Sequence, residues 1–261
     1  MSRLVLVRHA QASFSPDPAR AFTDYDRLSP LGLRQAESLG EELAAAGAVF
    51  DCVYAGPSER HRETAEAVGR VYARAGVSWP GVEVSDFLAE HEGAHVVRRA
   101  LARPEYAKER EHLESVLGGG AAAPPGEAPP APHDGPAAAV EHARAYLRVF
   151  RTFTRRWARG ELPEALSDES WQAFRSRVQA GVCRMLDDAG RGATVIAFTS
   201  GGPIGSTVAW ALGLGDEQAL EFAWIVENAT VTEFLHGDGR VSLKSFNVQP
   251  RLGQPELVTY V

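Results

Sequence analysis

Short apolar runs alternate along this chain with segments whose apolar residues recur every three or four positions, and that alternation predicts strands separated by helices. Leu4-Val5-Leu6-Val7 is apolar at every position, as in a strand buried on both faces. Ser29 as N-cap and Pro30 at the first helical position then open a helix that carries Leu31, Ala36, Leu39 and Leu43 up to Gly47. Phe50–Ala55 reads as a second strand, closed by Gly56-Pro57, and a helix follows from Ser58 to about Arg74. Val82–Val84 and Ala193–Phe198 are two further strands, the latter leading through Gly201-Gly202-Pro203 into an apolar helix to about Leu212. Ala229–His236 and Val241–Phe246 flank Gly237-Asp238-Gly239 as a hairpin, and the tail through Pro250 and Pro255 reads as an extended edge.

Two stretches interrupt this rhythm. Gln11–Arg27 has no sustained period and contains Pro16 and Pro18, so it is expected to be a loop over the end of the sheet. Ala94–Leu117 is charged and helical in pattern, after which Gly118–Pro136 consists almost wholly of Gly, Ala and Pro and reads as a flexible insertion loop. Helical spacing returns with Val140, Leu147, Phe150 and Trp157, then with Trp171, Phe174, Val178, Val182 and Met185, all expected to be core. The expectation is one domain, 1–261, with residues 94–190 a helical cap inserted between sheet elements.

Composition narrows the function classes. With 27 basic and 34 acidic residues in 261, net charge -7, the chain has no basic field to hold nucleic acid, so any anion site must be local. Cys52 and Cys183 are the only cysteines, which leaves neither a disulfide framework nor a cysteine-rich metal site. No segment reaches transmembrane length, and the apolar run before Arg8 is too short for a signal peptide. A cytoplasmic protein with no membrane partner is expected, and nothing in the sequence fixes its oligomeric state. No metal or other cofactor is called for: His91 and His95 are the only histidines with ligand spacing, and Gly93 between them argues against the helix that would align them.

The chemistry-bearing residues fall where strands end. Arg8 and His9 follow the first strand, at the carboxyl end where open α/β sheets place ligands. A guanidinium grips phosphate or carboxylate, and a neutral imidazole beside it serves as nucleophile or base. Arg60, His61, Arg62 and Thr64 follow the second strand at a helix start, where anions are favoured, although arginines there are also ordinary solvated helix charges. Glu90, His91 and Glu92 offer a general acid or simply a solvated loop. The free amides at Gly201 and Gly202 form an anion cradle in which two glycines permit close backbone approach.

Taken together, Arg8-His9, Leu28-Ser29-Pro30-Leu31-Gly32 with Gln35-Ala36, Arg60 to Thr64-Ala65, and Ser200-Gly201-Gly202-Pro203 resemble the histidine phosphatase superfamily, also called phosphoglycerate mutase-like. The resemblance covers roughly residues 1–93 and 193–247 and leaves the cap unmatched. It implies a three-layer α/β fold with a mostly parallel central sheet and helices on both faces. It further implies that His9 is the nucleophile that takes the phosphoryl group, that Arg8 and Arg60 clamp its oxygens, and that Glu90 is the proton donor. Asn228-Ala229-Thr230-Val231-Thr232 matches an Asn-led strand of the family.

One departure stands out. The family places a second histidine just before the two glycines, and this chain has Ser200 there. A hydroxyl donor is neutral, so a cationic hydrogen bond worth about 1.5–3 kcal/mol gives way to one worth about 0.5–1.5. The site is expected to be slowed roughly 10- to 100-fold without being dead. His91 or His95 is available in the sequence as a substitute cation, and a histidine introduced at position 200 is expected to raise the rate. The favoured reading is a phosphatase acting on a small phosphorylated substrate through a phosphohistidine at His9, ahead of a mutase. The alternatives are a non-catalytic phosphoanion-binding module and a serine hydrolase with Ser200 as nucleophile and His236 as its base. The last leaves Arg8, His9 and Arg60 without purpose.

Overall fold

The computed structural model describes residues 1–13, 26–116, 136–249 and 255–259, so most of the loop expected at 11–27 and all of the flexible segment expected at 118–136 but Pro136, which opens a helix, lie outside the described residues. The described chain falls into two compact units, the first within Met1–Ser13, Tyr25–Glu90 and Arg175–Val261, the second built on His91–Phe174.

The first unit is an α/β fold. Its strands are β1 (Ser2–Arg8), β2 (Cys52–Ala55), β3 (Val82–Val84), β4 (Thr194–Thr199), β5 (Val231–Gly237) and β6 (Arg240–Val248), in the sheet order β3-β2-β4-β1-β5-β6. β1 to β4 run parallel, while β5 is antiparallel to β1 and β6 to β5, so the sheet is mostly parallel as expected. The hairpin between β5 and β6 turns on Asp238 and Gly239, both at positive φ (54° and 71°), the combination a two-residue turn between twisted strands needs.

Because successive side chains of a strand face opposite ways, the uninterrupted apolar run of β1 feeds two cores. Val5 and Val7 pack with Leu39 of α1 (Pro30–Ala45) and with Ala65, Val68 and Tyr72 of α2 (Glu59–Arg74). The second unit holds α3 (Gly93–Leu101), α4 (Ala107–Val116) and α5 (Pro136–Ala158), while α6 (Trp171–Ala189) belongs to the first unit from Arg175 onward. On the other face of β1, Leu4 and Leu6 pack with Val182, Met185 and Leu186 of α6 and with Ile204 and Val208 of α7 (Gly201–Leu212).

Three sequence expectations need correction. Leu147, read as core, is 39% exposed, and Phe153 takes the buried place in α5, edge-on to Tyr106 at 5.1 Å between ring centroids. The tail is not wholly an extended edge: Pro255–Leu257 makes a 3-10 turn, and the Leu257 carbonyl accepts a hydrogen bond from Gln35 Nε2 at 2.8 Å. Finally, α8 (Asp216–Ile225) has no counterpart in the sequence reading. Its buried residues Ala219, Leu220 and Ala223 are mostly small, while Ile225 is exposed, so its apolar stripe is faint.

α7 and α8 approach backbone to backbone at glycine. A Cβ on Gly205 would stand 2.3 Å from the Ala219 carbonyl oxygen and 2.6 Å from the Ala223 nitrogen. Gly205→Ala therefore forces the helices apart, at a cost of about 1–3 kcal/mol, and is expected to lower the melting temperature by roughly 3–10 °C. Gly81→Ala, where a Cβ meets nothing within 4 Å, is the control and should leave it unchanged. Differential scanning calorimetry on both variants makes the comparison.

Candidate active site

His9 leaves the sheet one residue after β1, and its backbone is held from both neighbouring strands. Its amide donates to the Thr199 carbonyl of β4 at 2.8 Å, and its own carbonyl accepts from Asn228 Nδ2 at 3.0 Å and the Ala229 amide at 3.3 Å. Asn228 is buried, and Ala229 adopts a positive φ of 53° to turn the chain into β5. The Asn-led stretch noted in the sequence thus has a physical task, to pin the carboxyl end of β1.

The next residues are tied to α1 and α2. The Ala10 amide donates to Thr64 Oγ1 at 3.1 Å, and Thr64 in turn donates to the Arg60 carbonyl at 2.6 Å. The Gln11 amide donates to Gln35 Oε1 at 2.8 Å. Ser29 caps α1 by accepting from the Gly32 amide at 2.9 Å, and a Cβ on Gly32 would stand 2.1 Å from the Gln11 carbonyl oxygen. The Leu28–Gly32, Gln35 and Thr64 signature is therefore a set of backbone clamps on the segment after His9.

The His9 ring is 3% exposed, and its Nδ1 lies 2.7 Å from the Ala10 carbonyl oxygen. A carbonyl only accepts, so Nδ1 carries the proton and Nε2 holds the lone pair. Burial, then the positive charges of Arg60 and Arg8, then His61, hold the His9 pKa well below its ordinary value; the Ala10 hydrogen bond opposes them. The ring is neutral, as a nucleophile must be.

Arg8 Nη1 donates to the Val226 carbonyl, and Arg60 Nη1 pairs with Asp26 Oδ1 at 2.8 Å, with the Arg60 side chain largely buried. Glu90 is brought in by a strap after β3. Thr199 Oγ1 donates to the Leu88 carbonyl at 2.6 Å, Arg177 Nη1 donates to the Asp86 carbonyl at 2.8 Å, and Glu90 Oε2 accepts from the Gly202 amide at 3.1 Å. The Gly202 amide is thus engaged by a carboxylate. A Cβ on Gly201 would stand 2.6 Å from the Ala223 carbonyl oxygen, so this glycine also admits the backbone of α8.

The unforeseen member is His61. Its ring is fully buried on α2, lies 5.6 Å from the His9 ring between centroids, and places Nε2 2.7 Å from Ser200 Oγ. Gly56 makes room for it, since a Cβ at 56 would stand 2.2 Å from His61 Nδ1. In the sequence His61 is visible only as one basic residue in Arg60-His61-Arg62, with no sign that it would face position 200. His91, considered as a substitute cation, is instead a packing element: Trp157, Trp171 and Phe174 enclose its ring at 5.8, 5.7 and 5.5 Å, and its Nδ1 accepts from the Gly93 amide at 3.0 Å. α3 begins at Gly93 and carries His95, so that glycine does not exclude a helix. His236, proposed as base for Ser200, pairs with Ser2 at the opposite end of β1 from His9 and is no partner for it. A histidine at position 200 would meet the His61 ring, whose Nε2 already lies 2.7 Å from Ser200 Oγ, a steric cost that is not visible in the sequence. Among the described residues, no group of three or more His, Cys, Asp or Glu side chains could hold a metal ion, and no helix is long and apolar enough to cross a membrane.

The chain matches the Histidine phosphatase superfamily (branch 1) over residues 4–127 and 137–249, and it belongs to that superfamily. No match was found among curated proteins. Among solved structures, Bacillus stearothermophilus YhfR has a TM-score of 0.61 at 19% identity, over 96% of this chain and 99% of that one. Phosphoglycerate mutase from Bacillus anthracis str. Sterne has 0.56 at 18%, over 94% and 92%. Alpha-ribazole phosphatase from Shigella flexneri has 0.54 at 16%, over 94% and 96%. At such identities the likeness is one of fold.

Two buried neutral histidines have a consequence for stability. Burial is the main cause and Arg60 the second for the depressed His61 pKa, as burial and the arginines are for His9. Both rings bind fewer protons in the folded than in the unfolded state. Their contribution is complete above the unfolded value of about 6.5 and is lost as pH falls from there toward the folded values. Thermal melts from about pH 8 to pH 5 should show stability declining below that value, and His61→Gln should flatten the decline.

Proposed function

We propose that this protein is a phosphatase that hydrolyses a small phosphomonoester through a phosphohistidine on His9. The observation that carries the reading is the His9 ring: buried, neutral, with Nδ1 fixed on the Ala10 carbonyl and Nε2 left without a hydrogen-bond partner among the described residues. In this reading the Nε2 lone pair attacks phosphorus as the ester P–O bond breaks, and the leaving oxygen takes a proton from Glu90. Water then attacks the phosphohistidine, gives its proton to Glu90, and the P–N electron pair returns to Nε2. Arg8 and Arg60 hold the phosphoryl oxygens, with the amide end of α7 at Gly201 adding its partial positive charge. Membership of the superfamily supports the class of reaction, and structural neighbours named as phosphatases favour hydrolysis over transfer. The free thiols of Cys52 and Cys183 favour a reducing, cytoplasmic setting.

One contact favours a second reading. Ser200 Oγ and His61 Nε2, 2.7 Å apart, form a serine-imidazole pair such as a serine nucleophile uses. Against it, no carboxylate orients the ring, because His61 Nδ1 is without a partner among the described residues.

The two are separated by the chemistry of the intermediate. Brief reaction with a phosphomonoester followed by quench should leave acid-labile, base-stable phosphate on the protein, and His9→Ala should abolish both this label and turnover. Turnover in His9→Ala, or binding of phosphate with no turnover in the parental protein, would overturn the reading. Arg8→Gln and Arg60→Gln should each weaken vanadate binding by about 10- to 100-fold, the worth of one charged hydrogen bond, as read by isothermal titration calorimetry.

A further inference from the structure

The reaction as written gives no task to His61 or to the Ser200 hydroxyl, although both are buried beside the nucleophile. A hydrogen bond between them has two polarities. Either the hydroxyl donates to Nε2 and the ring proton sits on Nδ1, or Nε2–H donates to Oγ. The surroundings of Nδ1 decide between them. That nitrogen has no hydrogen-bond partner among the described residues, and it lies so close to the Gly56 backbone that a Cβ at 56 would stand 2.2 Å away. A buried N–H without an acceptor is rarer than an unused lone pair. The proton therefore belongs on Nε2. Burial and the charge of Arg60 keep a second proton off the ring.

With Nε2–H as donor, Ser200 Oγ accepts, and the hydroxyl hydrogen is left to be given elsewhere. Among the described residues no acceptor takes it. The hydroxyl stands at the N-cap of α7, one residue after Thr199, whose carbonyl holds the His9 amide at 2.8 Å. We propose that His61 is a positioning residue for phosphoryl transfer: its Nε2–H fixes the Ser200 hydroxyl, which donates its hydrogen bond to the oxygens of the phosphoryl group on His9. The proposal rests on the reading of His9 as nucleophile. No proton changes owner through this pair; the bonds made and broken are the P–N and P–O bonds already described. The hydroxyl contributes because its bond to the phosphoryl oxygens strengthens as charge shifts in the transition state. The same polarity bars His61 from activating Ser200, since a nitrogen that carries its proton accepts none.

His61→Leu removes the donor while keeping most of the volume, and His61→Gln puts back an N–H donor that does not titrate. With p-nitrophenyl phosphate as substrate, His61→Leu should lower kcat by roughly 10- to 100-fold, with KM little moved. His61→Gln should recover most of that loss. Ser200→Ala should lose about as much as His61→Leu, and the double variant no more than either, because the two act as one unit. Imidazole nitrogen NMR of the parental protein, which depends on no variant folding, should find His61 protonated on Nε2 alone, with and without vanadate. A His61→Leu protein with parental kcat, additive losses in the double variant, or a His61 proton on Nδ1 would each overturn the positioning role while leaving His9 as nucleophile. Turnover that survives His9→Ala would instead remove the reading beneath it, and fluorophosphonate labelling of Ser200 in that variant would assign His61 the opposite role, as base.

Discussion

Everything chemical in this protein hangs on how the backbone of His9 is held. The residue lies just beyond a strand with four buried aliphatic side chains, so β1 itself cannot shift without opening both cores. Its amide is tied to β4 through Thr199, and its carbonyl to Asn228 and Ala229 at the approach to β5. The next two amides are tied to Thr64 and Gln35 on the helices of one face. Four elements thus converge on three consecutive residues. The side chain needs only one more contact, Nδ1 to the Ala10 carbonyl, to fix both its orientation and its tautomer.

The charge balance follows from that placement. Two guanidinium groups bear on a buried ring that stays neutral, and the same field acts on His61 through Arg60. An incoming negative group is the partner that the proposed chemistry would bring to these cations. Arg60 meanwhile pairs with Asp26, and Glu63 accepts from the Leu28 amide at 2.7 Å and from Arg27 Nε at 2.9 Å. Residues 26–28 are thereby moored to α2.

The sequence made some of this legible and hid the rest, for reasons that differ by residue. Arg8, His9 and the strand before them were readable because a buried parallel strand is uniformly apolar and its polar ends stand out. Ser29, Pro30 and Gly32 were readable because helix starts obey local rules. The α8 helix was missed because its buried side chains are mostly small. Leu147 was misplaced because a helical period defines a stripe without saying which edge of it faces the core. That Gly201 also admits the backbone of α8 is hidden because it depends on where α8 folds back. His61 escaped for a deeper reason: its partner lies 139 positions away, and nothing local in Arg60-His61-Arg62 reports which helix face meets the end of β4.

That distance also explains why position 200 is not interpretable alone. A small side chain there leaves a space beside His9, and the His61 imidazole, lying against Gly56, fills it from the neighbouring helix. Each of the three residues is intelligible only through the others. A Cβ on Gly56 would displace the ring, a larger residue at 200 would meet it, and a ring without a donor would leave the hydroxyl free to turn. The constraint therefore belongs to a shared volume and one hydrogen bond, and a change at any of the three positions has to be judged against the other two.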